Sequence, residues 1–183
     1  TLTTLLVVPT LLLTLAAARR PAPAEHHYLY VAEPGIRNYV EYGGVGVLVF
    51  DMDSGYKFVR RIPTFDVPEG QEPENVKGVT ADAASKRLYV STIKRIAAID
   101  LATDKIVWNR EYDGGCDRLA ISPDGTTVYV AVYADGTLVP IDVATNTAGE
   151  PIPLPCYPYD IAITPDGAVA YVTLPQDDTV VRV

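Results

Sequence analysis

The chain is poor in the residues that most often carry chemistry. Its 183 residues include two cysteines, two histidines, one methionine and one tryptophan. Two cysteines exclude a small scaffold stapled by several disulfides and any four-thiolate metal centre. They stand at Cys116 and Cys156, so no CxxC redox motif is present. His26 and His27 are the only histidines, which argues against a multi-histidine metal or haem site within this chain. Positive charge is also in the minority, with 15 Lys and Arg against 23 Asp and Glu, a formal charge of −8. Nucleic-acid binding and a polybasic membrane anchor both need a cationic face, so neither is expected. No Gly-rich phosphate loop, nucleophile elbow or HExxH is visible. Phenylalanine is scarce at 3, but 12 tyrosines with many Val and Thr lean towards strands. Apolar residues at 48% and charged residues at 21% are those of a folded domain rather than a disordered chain.

Long apolar runs are absent as well. The stretch from Leu5 to Ala18, LLVVPTLLLTLAAA, is 14 residues long. A bilayer span needs about 20, and Pro9 interrupts any packed helix. Small-x-small sites follow at Ala16–Ala18 and Ala22–Ala24. This is the pattern of the apolar core and cleavage region of a secretory signal peptide. Residues 1–24 are therefore expected to be an address. Residues 25–183 are expected to be an acidic domain exported to the periplasm or the cell exterior, without a transmembrane segment.

What the chain does have is a repeat. Leu119 to Thr147 reads LAISPDGTTVYVAVYADGTLVPIDVATNT, and Ile161 to Val183 reads IAITPDGAVAYVTLPQDDTVVRV. Gly78 to Lys105 is a looser copy, and Tyr28 to Lys57 a fourth without its first strand. The tyrosines Tyr30, Tyr89, Tyr129 and Tyr171 mark the register, the last three at spacings of 40 and 42. Each unit divides into four short strands, A to D, separated by turns. In the A–B turn SPDG, Pro fixes φ and Gly supplies the left-handed residue. Four antiparallel strands recurring every 40 to 45 residues make one blade of a β-propeller. The expected fold is all-β, with about four blades visible of a ring that is expected to be larger. They span approximately 28–65 lacking strand A, 75–112, 116–154, and 157–183 lacking strand D.

ISPDGTTVYV, ITPDGAVAYV and the IDxAT turn resemble the YVTN-type propeller repeat. The resemblance covers roughly Tyr28 to Val183. It implies a commonly seven-bladed, often exported fold whose members mostly lack an assigned activity. It says little about function, because propellers host many.

Most repeated residues read as structural. Asp51, Asp100 and Asp142 close strand C, and Asp124 and Asp166 sit in A–B turns. Short carboxylates there accept turn N–H groups. The marker tyrosines read as packing between blades. The segment around Trp108, AIDLATDKIVWN, resembles the tryptophan-docking motif of quinoprotein alcohol dehydrogenases. It occurs once here, with Asp104 where that motif prefers Gly, and the simpler reading is a blade-core Trp.

Irregularities point to one face. The inserted segment EPGIRNYVEYGG lies in a B–C loop, and DVPEGQEPEN in a D–A linker. In an up-and-down blade both fall on the same face. Inserted loops on a rigid scaffold are where binding residues concentrate. The candidates are Arg37, Asn38, Tyr39, Tyr42 and Glu72 from the insertions. Glu74, Asn75, Asp117, Arg118, Tyr159 and Asp160, at the entries to strand A, complete the set. The expected partner is a protein, peptide or glycan, with no catalytic residue and no cofactor assigned.

Two alternatives stay open. Carboxylates at the channel mouth suit Ca²⁺ or another divalent cation, as in gluconolactonase-type, metal-dependent hydrolases. The propeller portion of a quinoprotein or dehydrogenase subunit is the other. Separately, cleavage after Ala24 would expose Glu25-His26-His27, whose amine, amides and imidazole suit Cu(II) or Ni(II). This makes His26 and His27 metal-ligand candidates. Cys116 and Cys156 flank adjacent blade entries, and export would permit a disulfide between them.

Overall fold

The computed structural model describes residues 25–34, 45–65, 69–71, 74–113 and 115–183. The leader at 1–24 and the insertion at 35–44 lie outside the described residues, as do 66–68, 72–73 and 114.

Among the described residues, alternating apolar runs broken by Pro, Gly and Asp give strands and no helix. They are β1 (Tyr28–Pro34), β2 (Val45–Asp51), β3 (Lys57–Ile62), β4 (Val76–Asp82) and β5 (Arg87–Thr92). β6 (Arg95–Asp100), β7 (Lys105–Glu111), β8 (Cys116–Ile121), β9 (Thr127–Val132) and β10 (Thr137–Asp142) follow. β11 (Thr147–Ala148), β12 (Ile152–Pro153), β13 (Ile161–Ile163), β14 (Ala170–Leu174) and β15 (Thr179–Arg182) complete the described chain. They form four antiparallel sheets, ordered β1-β2-β3, β4-β5-β6-β7, β8-β9-β10 with β11 and β12, and β13-β14-β15. This is the stacked-blade arrangement of a propeller, the fold the repeat predicts.

The repeat register survives in the pairing. On each second strand the marker tyrosine faces the third strand at the same point: Tyr30↔Val49, Tyr89↔Ala98, Tyr129↔Pro140 and Tyr171↔Arg182. The fourth strand of the third repeat departs from expectation, because it is broken into β11 and β12 instead of running on. Pro151 has no N–H to give a ladder. Gly149 donates to Pro140 O at 2.8 Å at the break, and a Cβ there would stand 3.2 Å from the Pro140 ring.

The core lies between sheets, in three layers. Val47, Val49 and Ile62 meet Leu88, Val90, Ala97 and Ile99. Tyr89, Ile96 and Ala98 meet Leu119, Val128, Val130 and Val139. Ala131 and Leu138 meet Ile161, Ala170, Val172 and Leu174. Alternation explains this, because Leu88 and Val90 point to one neighbouring sheet and Tyr89 to the other. A buried aliphatic side chain of this kind contributes about 1.5–3 kcal/mol. Each marker tyrosine packs on the following sheet: Tyr30 on the layer with Leu88, Tyr89 on that with Val128, Tyr129 on that with Ala170. Tyr171, with no described sheet beyond it, is 45% exposed.

The turns work as their residues require. Gly125 and Gly167 take φ of 71° in the two PDG turns, where only glycine has no steric penalty. The preceding hydroxyls of Ser122 and Thr164 donate to Asp124 and Asp166, both at 2.6 Å. Asp142 accepts from the Thr145 amide and hydroxyl, both at 2.7 Å. Asp100 holds the amides of Ala102 and Thr103, and Asp51 that of Ser54.

Candidate functional site

Antiparallel order puts two kinds of connection at opposite ends of each sheet. At one end lie the β5–β6, β9–β10 and β14–β15 connections and the chain entering β4, β8 and β13. This is the connector end. The Asp-bearing turns lie at the other, the turn end. Side chains join the second and third sheets at this end: Arg118 of β8 donates to Lys77 O of β4 at 2.6 Å, and the Ser91 hydroxyl of β5 donates to Asp117 O of β8 at 3.0 Å. The approach is close enough that a Cβ on Gly78 would stand 2.7 Å from the Ser91 hydroxyl and 3.2 Å from the Arg118 Cα.

The connector end holds the described half of the candidate residues, and it pairs their charges. Glu74 accepts from Arg95 Nη2 at 2.6 Å and Nε at 3.1 Å, and from the Thr92 hydroxyl at 2.9 Å. Arg95 also lies 3.3 Å from Glu111 and over the Phe65 ring at 4.9 Å. Asp117 lies 3.8 Å from Lys77 Nζ. Asp160 accepts the Ile161 amide, and its main chain pairs with Thr173. Glu74 and Asp117 thus face cations of the chain itself rather than converging on a shared point. Asn75 sits between Glu74 and β4, half-buried. A groove of about 410 Å³ runs along Ile93, Lys94, Arg95, Glu111, Tyr112 and Asp113.

Further along the same end the character turns aromatic. Tyr133 and Tyr157 stack with centroids 5.0 Å apart and planes at 22°. Gln176 donates to the Tyr133 hydroxyl at 2.8 Å. The Arg118 guanidinium lies 5.4 Å from the Tyr159 ring centroid. Tyr157 and Tyr159 are 39% and 40% exposed. Sequence reasoning singled out Arg118 and Tyr159 as candidates and did not single out Tyr133, Tyr157, Gln176 or Arg95. The CYPYD stretch carried a signal, since two tyrosines spaced by one residue stand just before β13. Tyr133 and Gln176 meet only across sheets, 43 residues apart. Arg37, Asn38, Tyr39, Tyr42 and Glu72 lie outside the described residues.

The turn end brings the two histidines to carboxylates. His26 lies between Asp51, 3.4 Å from Nε2, and Asp53, 2.9 Å from Nδ1. His27 places Nδ1 3.0 Å from Asp53 and gives its amide to the same carboxylate at 2.8 Å. The Ser54 hydroxyl holds the Asp51 carboxyl below its ordinary range, and the His27 amide does the same for Asp53. His26, Asp51 and Asp53 are the only described His, Cys, Asp and Glu side chains close enough as a group of three to hold a cation.

The remaining candidates resolve simply. Trp108 is half-buried against the layer between the second and third sheets. Asp104 has φ of 55°, the left-handed conformation in which the docking motif prefers Gly. Cys116 and Cys156 are free thiols. Cys116 is buried in the layer of Tyr89 and Val128, whereas Cys156 packs against that of Ala131 and Val172. Burial pushes the Cys116 thiol up to about 12.

No protein-family model and no curated protein sequence matches the chain. Its fold has many relatives, with 844 solved chains matching, as a widely reused architecture produces. One is Kuenenia stuttgartiensis hydrazine synthase, a propeller-containing protein, with a TM-score of 0.59 and 20% identity over 70% of this chain. The chain spans 35% of that one. At this identity the likeness defines the class as a β-propeller and nothing finer. Among the described residues no helix is long and apolar enough to cross a membrane.

Proposed function

We propose that the chain is an exported, YVTN-type β-propeller that binds a protein, peptide or glycan through its connector end. The stack of Tyr133 on Tyr157, beside Tyr159 under Arg118, carries this reading. Tyrosine rings lose little conformational entropy on binding, and tyrosine and arginine are both enriched among the anchors of recognition surfaces. The 35–44 insertion, which lies outside the described residues, joins β1 to β2 in the chain, and inserted loops on a rigid scaffold are where binding residues concentrate. Export rests on the leader pattern, and the family on the SPDG, TPDG and IDxAT repeats.

The test is a screen of wild-type chain on glycan and peptide arrays, followed by Tyr157→Ala, Tyr159→Ala and deletion of 35–44. Binding that is lost in these variants while thermal unfolding stays cooperative supports the reading. An array ligand retained by all three places recognition elsewhere.

A second reading is a propeller portion of a larger enzyme assembly. The hydrazine synthase likeness supports it, since there a comparable fold is part of a longer chain. Visible absorbance from a bound quinone in protein purified from its source would favour it over a free-standing binding module.

A further inference from the structure

We propose that His26, Asp51 and Asp53 form a binding site for a single zinc-class transition-metal ion at the turn end of the first sheet, with His27 holding Asp53 in place. The three ligand atoms lie within 4.8 Å of one another. Tetrahedral Zn²⁺, with bonds of about 2.0–2.2 Å to nitrogen and oxygen, separates its ligands by about 3.3 Å. Asp51 already faces His26 Nε2 at 3.4 Å, and Asp53, now at Nδ1, has to swing towards the same nitrogen, for which the 48% and 41% exposure of the His26 and Asp53 side chains leaves room. Asp51 is the fixed member at 16%, anchored by the Ser54 amide and hydroxyl. His26 is steadied by the Tyr28 ring, edge-on at 4.7 Å. His27 would be the outer partner that orients a ligating carboxylate.

The repeat itself supplies the control. The equivalent turns read Asp100-Leu101-Ala102-Thr103 and Asp142-Val143-Ala144-Thr145, against Asp51-Met52-Asp53-Ser54 here. The first and fourth positions do the same work in all three, the aspartate accepting from Thr103, Thr145 or Ser54. The third position is alanine in the other two, so the turn does not need a carboxylate there. Asp53 is an addition, and the only two histidines in the chain both reach it. A mixed imidazole and carboxylate set suits Zn²⁺ or a neighbouring transition metal better than Ca²⁺, which takes oxygen ligands. Three protein ligands leave one coordination position for water or a further group. This arrangement needs no free amine at Glu25, unlike the amino-terminal copper or nickel set.

The experiment uses the full, metal-stripped chain without a polyhistidine tag, titrated with ZnCl₂ in a calorimeter. One equivalent is expected to bind. Asp53→Ala, which restores the residue of the other turns, and His26→Ala are expected to weaken it at least 10-fold. Their circular dichroism without zinc should match the wild type, and their unfolding should stay cooperative. His27→Gln should weaken it about 10-fold, the usual effect of losing an outer partner. CoCl₂ should give visible ligand-field bands that His26→Ala removes. Absence of uptake, uptake unchanged in Asp53→Ala and His26→Ala, or equal uptake of CaCl₂ overturns the proposal.

Discussion

Arg60 and Asp104 are joined by two hydrogen bonds, Nε to Oδ2 at 2.7 Å and Nη2 to Oδ1 at 3.1 Å, linking the first sheet to the second. Donating to the Asp104 carboxylate holds the Arg60 guanidinium above its already high ordinary range. Asp104 reaches it from a left-handed turn position. Asp104→Gly therefore keeps the turn and removes the pair, whereas Asp104→Ala removes the pair and strains the turn. Asp104→Gly should lose about 1 kcal/mol, a fall in Tm of about 2–4 °C for a chain of this size. Asp104→Ala should lose more. Equal midpoints in a thermal melt would show that the turn conformation costs alanine nothing.

The turn carboxylates make stability depend on acid. The hydroxyls of Ser54, Ser122, Thr145 and Thr164 hold Asp51, Asp124, Asp142 and Asp166 below the ordinary range, and the Arg87 guanidinium does so for Asp100. A carboxyl whose pKa is depressed on folding stabilises the native state above its unfolded value, about 3.9. That contribution disappears as pH falls through the lower folded value. The unfolding midpoint should change little between pH 7 and 5 and fall steeply below about pH 4. A midpoint constant down to pH 2.5 would refute this account.

The two thiols should differ in reactivity. Cys116 is buried and its pKa is pushed up to about 12, so at pH 8 it is a neutral thiol out of reach. Cys156 is half-buried. A disulfide-exchange reagent should label one thiol per chain in the native state and the second only on denaturation. Two fast thiols, or none in the denatured chain without reductant, would contradict the structure.

Tyr89 is fully buried, yet its hydroxyl has no hydrogen-bond partner among the described residues. Removing an unpaired buried hydroxyl leaves packing intact and relieves its desolvation. Tyr89→Phe should lie within about 0.5 kcal/mol of wild type or above it. Tyr89→Ala should lose about 3–5 kcal/mol through the cavity between sheets. Denaturant melts of both variants decide this, and a loss above about 1 kcal/mol for Tyr89→Phe would reveal a bonded hydroxyl.

The repeat made the fold legible because its information is local. Alternation in RLYVST and TVYVAV sets which side chains leave each face, and PDG sets where the chain reverses. The broken strand around Gly149 was not legible, although Pro151 and Pro153 stood in the text. Its position depends on Pro140 in the strand opposite.

The candidate sites divide the same way. From the order of residues alone came the strands, the turns, the antiparallel blades and the entries to each first strand, where Arg118 and Tyr159 stand. The pairing of charges was decided by tertiary structure. Glu74 meets Arg95, 21 residues away, and Arg60 meets Asp104, 44 residues away, in two different sheets. The aromatic surface needed Tyr133 to meet Tyr157 and Gln176. The histidines needed a turn 26 residues further on to supply Asp53. Periodicity specifies which way a side chain points from its own strand. What it then touches depends on how twisted sheets stack, and that is a property of the assembled blades.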